Sequence, residues 1–149
     1  MMKIEGKSDQ DFMKLAMQEA LLAPEHDDIP IGALVVCNGK IIGRGHNQVE
    51  MLNDATAHAE MIAITSAFTY LGSRYLNECT LYVTLEPCPM CAGALSWSQL
   101  GRLVYAAPDE KRGFEKYNKE IIHPKTKLLR GVLEHECSHM VKEFFKNLR

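Results

Sequence analysis

Long apolar runs are missing from this 149-residue sequence. A membrane-spanning helix needs roughly 18–20 consecutive apolar residues, and no such run occurs. The opening residues Met1–Gln10 (MMKIEGKSDQ) hold no apolar core of a secretory signal, so no export is expected. Ten glycines and six prolines are too few for a fibrous or disordered chain. Strong charge of one sign is absent too: 17 Lys and Arg against 19 Asp and Glu leave a net charge of −2. Cysteine is limited to five, so at least one is unpaired, and a reducing cytoplasm is the expected compartment.

What is present fits an ordinary globular domain. The sequence is 46% hydrophobic, and a chain of this size buries about 68–70% of the surface it exposes when unfolded. A core can therefore form without disulfide or metal staples. No repeat, linker or low-complexity tract interrupts the sequence, so residues 1–149 are expected to form one domain.

Charge becomes informative when divided along the chain. Residues 1–107 carry seven bases and twelve acids, whereas 108–149 carry ten bases and seven acids. Between Lys111 and Arg130, seven basic residues face only Glu115 and Glu120. Such a segment on a mildly acidic body is a candidate surface for a polyanion, or else a solvated loop.

Alternating helix and strand signals argue an α/β fold. Ser8 and Asp11 form an acidic capping box ahead of a helix through Phe12, Leu15, Ala16, Glu19, Ala20 and Ala23, ended by Pro24. Ile31–Cys37 and Lys40–Gly45 read as strands joined at Asn38-Gly39, a two-residue hairpin signal. A helix opening after Asp54 or Thr56 is expected to reach Leu71 and bury Met61, Ile62, Ile64 and Phe68. Thr80–Leu85, Leu103–Ala106 and Leu128–Leu133 read as further strands. A helix over Pro89–Ser98 and a closing one over Glu134–Leu148 complete the layout, with a largely parallel second half.

The chemistry lies in His58, Glu60, Cys88 and Cys91. Cys88 and Cys91 are three residues apart at a helix start, so both sulfurs project from one face of its first turn. The partial positive charge of a helix N-terminus favours the thiolate, the form that binds metal. With His58 near another helix start, two sulfurs and one imidazole nitrogen leave a fourth tetrahedral position for water, the pattern of a catalytic zinc site. Zn²⁺ with two thiolates and a neutral imidazole has no net charge, so it acidifies water less than an all-histidine site and needs a strong proton acceptor beside it. Glu60, two residues from His58, is poorly placed to ligate alongside it and suits that role. Cys37, Cys79 and Cys137 lack ligand-type neighbours at motif spacing and read as structural. Alone, Cys88-Pro89-Met90-Cys91 also fits a redox dithiol, but the joint pattern His-x-Glu…Pro-Cys-x-x-Cys is a signature of zinc nucleobase deaminases.

On these residues the sequence resembles the cytidine-deaminase-like superfamily, and within it the bacterial tRNA-specific adenosine deaminases. The likeness runs from Ile29-Pro30-Ile31-Gly32-Ala33 through Thr56–Glu60, Thr84–Cys88, Cys91–Ala94 and Gly101–Val104 to Glu136-Cys137 and Phe144-Phe145. It implies a three-layer α/β/α fold with a mixed five-stranded sheet whose last two strands are parallel. It also implies one Zn²⁺ per subunit on His58, Cys88 and Cys91, with Glu60 moving protons. Substrate contacts are implied at Asn47, Ala59 and Pro87, with Ile29, Pro30 and Ile31 as pocket wall and Asp109 and Phe145 toward an RNA anticodon loop. A cytoplasmic homodimer, associating near the helix that bears Leu95 and Trp97, belongs to the same expectation. Ala55 stands where these proteins usually have proline, and Pro89 and Trp97 are more typical of guanine deaminases. A free-base or nucleoside deaminase is therefore the alternative, and a non-catalytic zinc-stabilised module a further one.

Overall fold

The computed structural model describes residues 7–148. Five strands form one sheet in the order β2-β1-β3-β4-β5: β1 (Gly32–Cys37), β2 (Lys40–His46), β3 (Cys79–Leu85), β4 (Arg102–Ala107) and β5 (Lys127–Arg130). β1 pairs antiparallel with β2 and β3, while β3, β4 and β5 run parallel. The expected mixed sheet with parallel final strands is present. Asn38 and Gly39 close the hairpin with φ of 52° and 76°, as an Asn-Gly turn requires.

Strand alternation builds two apolar layers. Val35, Leu81, Val83, Leu103 and Tyr105 face α3 (Ala59–Leu71) and α4 (Pro89–Trp97). Leu34, Val36, Tyr82, Val104 and Ala106 pack with residues of α1 (Asp9–Ala20) and α6 (Glu134–Asn147) on the opposite face. Two short helices, α2 (Val49–Leu52) and α5 (Phe114–Tyr117), lie in the connections. Asp9 joins α1 to the sheet, accepting from Tyr82 Oη at 2.7 Å and from both Arg102 terminal nitrogens at 2.8 and 2.6 Å. No helix among the described residues is long and apolar enough to cross a membrane.

Several boundaries differ from expectation. The capping box at Ser8 and Asp11 forms, but α1 stops at Ala20, and Pro24 opens a separate 3-10 turn instead of ending the helix. Amides of Leu22 and Ala23 bond three residues back and tighten the exit. β5 ends at Arg130 because Gly131 and Leu133 take φ of 85° and 59°. α3 opens at Ala59, since the Asp54 carboxylate accepts the Thr56 amide in a side-chain turn that leads the chain into it.

The buried face of α3 also differs. It is Ala59, Ala63, Ala67 and Ile64, together with Glu60, while Met61, Ile62 and Phe68 are only half-buried. The helix lies too close to β2 for larger residues: a methyl at Gly43 or Gly45 would overlap the backbone carbonyls of Ala63 or Ala59. This close approach fixes the start of α3 against the sheet.

Candidate metal centre and active-site cleft

Two helix starts carry the cluster. His58 is the N-cap of α3 and Cys88 the N-cap of α4, both with extended backbone, and neither side chain caps its own helix. Both are turned toward each other instead. Pro89 occupies the first helical position of α4, where its missing N–H loses nothing. Cys91, on the first turn, is fully buried. His58 Nδ1 lies 3.6 Å from Cys88 Sγ and 3.4 Å from Cys91 Sγ, and the three ligand atoms all lie within 4.8 Å of one another. Tetrahedral zinc with bonds of about 2.0–2.1 Å to nitrogen and 2.3 Å to sulfur places such atoms roughly 3.6 Å apart. The donor set and its spacing therefore fit one zinc ion.

The surroundings tune these groups. Among the protein atoms alone, a hydrogen bond from Cys91 pulls the Cys88 thiol down to about 4, with His58 adding to the effect. The same contact, together with burial, pushes Cys91 up. His58 is raised, mainly by its bond to Cys88. Glu60 is buried at 4% exposure, and desolvation lifts its carboxyl to about 7.

The cluster floors a cleft of about 400 Å³ lined by Ile29, Ile31, Asn47, Ala55, His58, Glu60, Glu86, Cys88, Asp109 and Arg112, among others. Of the residues expected at the substrate, Ile29, Ile31, Asn47 and Asp109 line it. Asn47 is buried, with its amide bonded to the Ile31 carbonyl at 3.0 Å. Pro30, Ala59 and Pro87 are buried and do not line it. Ala59 is held against β2 by the close approach at Gly45, and the Pro87 carbonyl accepts the Phe114 amide at 2.9 Å. Phe145, half-exposed on α6, lies outside it. It lines an adjoining cleft of about 890 Å³ that shares Ile29, Leu85, Asp109 and Arg112 and adds Lys111 and Lys142.

The basic segment does not act as one surface. Lys111 and Arg112 flank the clefts, whereas Lys125 and Lys127 line a separate depression at the start of β4 with Arg102 and His123. Arg130 is paired with Glu115 at 2.5 Å.

Two buried acids were not anticipated. Asp28 accepts the amides of Glu50 and Met51 at 2.8 and 3.2 Å, and Glu86 accepts those of Asp109 and Glu115 at 3.0 Å each. Glu86 adjoins the Pro87-Cys88 motif. Nothing in the sequence pairs Asp28 with α2.

Comparison with known proteins agrees with this geometry. Residues 6–107 match the family model for the cytidine and deoxycytidylate deaminase zinc-binding region. The chain is 44% identical over 146 residues to the tRNA-specific adenosine deaminase of Bacillus subtilis, covering 95% of this chain and 91% of that one. A structure solved in work on A-to-I editing by tRNA:A34 deaminases at the wobble position of transfer RNA superposes with a TM-score of 0.80. That match has 41% identity and covers 87% of this chain and 97% of that one. The guanine deaminase of Bacillus subtilis superposes with a TM-score of 0.67 at 33% identity, covering 95% of each chain.

Proposed function

The chain belongs to the cytidine and deoxycytidylate deaminase family, and from that membership we propose that residues 1–149 form one zinc-dependent domain that hydrolyses adenosine to inosine at the wobble position of tRNA, releasing ammonia. The observation that carries the chemistry is the His58, Cys88 and Cys91 cluster beside buried Glu60 on the floor of an open cleft. A zinc ion held there would supply the Lewis acidity that makes water nucleophilic near neutral pH.

The protein groups do the rest. Glu60 takes a proton from water and passes it to the purine ring nitrogen beside the reacting carbon, then takes the remaining proton from the hydroxyl added to that carbon and delivers it to the departing amine. Burial disfavours the ionised carboxylate and so strengthens its hold on the proton it takes from water. First-turn amides of α3 and α4 have no intrahelical acceptors and are donors for the reacting groups. Asn47 contacts the base, Ile29 and Ile31 wall it, and Asp109 meets the flanking nucleotides. Phe145 extends that contact along the adjoining cleft, with Lys111, Arg112 and Lys142 facing phosphates.

The choice of RNA over a free base rests on two points. Identity is higher to the tRNA-specific deaminase than to the guanine deaminase, 44% against 33%. No residue of α6 lines the cleft that holds the cluster, so its mouth is open to a large substrate. Two copies associate through the α4 face bearing Trp97, which is 86% exposed; Leu95 on the same helix points into the core. The cytoplasm is the compartment assigned, in keeping with five free cysteines.

The test is inosine and ammonia formation from an anticodon stem-loop RNA, from free adenosine and from free guanine. Turnover of the stem-loop is expected to exceed both. Turnover of guanine without turnover of RNA would replace this reading by the free-base one.

A further inference from the structure

Three buried acids line the cleft: Asp28, Glu60 and Glu86. Glu60 faces the cluster and Asp28 holds α2, while Glu86 is bound to a different part of the wall. It follows β3 directly and precedes Pro87-Cys88, and its carboxylate binds backbone amides further along the chain. Oε1 accepts the Asp109 amide and Oε2 the Glu115 amide, each at 3.0 Å. Gly113 lies between these donors, and a methyl group on it would overlap the Glu86 carboxylate. Its φ of −65° is open to any residue, so glycine is required there only for the space the carboxylate occupies.

The segment so held carries the cleft mouth. Asp109 and Arg112 line the cleft. The Asp109 carboxylate in turn accepts the amides of Lys111 and Arg112 at 3.1 and 3.0 Å. At the far end, Glu115 is bound by Arg130 and by the Tyr105 hydroxyl. The segment from Asp109 to Glu115 thus hangs from the Glu86 carboxylate, from the Pro87 carbonyl through the Phe114 amide at 2.9 Å, and from the contacts of Glu115; beside the metal-ligand motif, Glu86 is the anchor made by a side chain.

Two diverging amides need two acceptors in a fork. A carboxylate supplies both, whereas a glutamine supplies one and turns its NH₂ group on the other donor. We propose that Glu86 is a positioning residue that sets the loop 109–115 over the cleft, and so governs how well the RNA is seated while Glu60 performs the proton transfers. This rests on reading the cleft as an adenosine deaminase site.

The experiment compares wild type, Glu86→Gln and Gly113→Ala. Amide hydrogen exchange of residues 108–116, read by mass spectrometry without substrate, is expected to be about tenfold faster or more in both variants, with zinc content unchanged. For an anticodon stem-loop, KM is expected to rise about tenfold while kcat falls less. The KM effect of Glu86→Gln is expected to shrink in an Arg112→Ala background, because Glu86 acts through the loop. Unchanged exchange would overturn the assignment. So would a collapse of kcat at constant KM, loss of zinc, or full additivity with Arg112→Ala. Should Glu86→Gln fail to fold, Gly113→Ala keeps the carboxylate and every ligand and carries the same test. Absence of wild-type turnover on the stem-loop would overturn the functional reading alone, since the exchange comparison needs no substrate.

Discussion

Replacing Glu60 by glutamine should cut turnover by orders of magnitude and yet stabilise the metal-stripped protein above neutral pH. Burial raises the Glu60 carboxyl from 4.5 to about 7. The folded state therefore holds that proton more tightly than the unfolded chain, and stability falls as pH rises between those values. Below about pH 4.5 both states are protonated and the group is neutral in the core. Above about pH 7 the folded protein contains an ionised, desolvated carboxylate, a penalty of roughly 3 kcal/mol. Glutamine keeps the shape without ionising. Urea unfolding of both proteins, treated with chelator and reductant, should give similar stabilities near pH 4.5. By pH 8 the variant should be the more stable by up to about 3 kcal/mol. His58, Cys88 and Cys91 titrate in both proteins, so the difference between the two curves reports Glu60 together with its coupling to those groups. Parallel curves, or a variant less stable at pH 8, would refute the reasoning that desolvation sets this group's proton affinity.

Asp9→Asn should destabilise by about 1 kcal/mol at pH 7, because both partners of the Arg102 pair are about one-third exposed. The Arg102 and Tyr82 hydrogen bonds hold Asp9 low. Its contribution is therefore present above the ordinary carboxylate range and lost as pH falls through its folded value, so urea unfolding should show the two proteins converging in acid. Gly45→Ala would drive a methyl into the Ala59 carbonyl and should lower stability by roughly 1–3 kcal/mol. By displacing the start of α3 it should reduce inosine formation more than an equally destabilising change at Leu34 does. Cys88→Ala should leave two of the three ligand side chains, and elemental analysis should find the metal lost and turnover at background.

Much of this was legible in the sequence because it depends on local spacing. Cys88 and Cys91 share a face through helical geometry, and the alternation of Leu34 to Val36 and of Leu81 to Val83 marks a sheet covered on both sides. Ser8 with Asp11 and Asn38 with Gly39 are short-range signals, and both formed. The misses depended on tertiary context. The core face of α3 is alanine because Gly43 and Gly45 admit the helix closely, which hydrophobic size does not reveal. α1 ends before Pro24, and β5 stops at Gly131, because backbone turns there override apolar pattern. Glu86 and Asp28 act on amides 23 to 29 and 22 to 23 residues away in sequence, a separation that no spacing rule reads. The basic run from Lys111 to Arg130 splits because the chain returns to the start of β4 before entering parallel β5, which leaves Lys125 and Lys127 at the opposite end of the strands from Lys111 and Arg112.

The most direct measurement determines zinc per chain and inosine formed from an anticodon stem-loop, on the same preparations of wild type and Glu60→Gln. One zinc per chain is expected in both. Turnover should be present in the wild type and lower by a factor on the order of 100 to 10,000 in the variant. A wild type that deaminates without bound metal, or a variant that deaminates at the wild-type rate, would contradict the account.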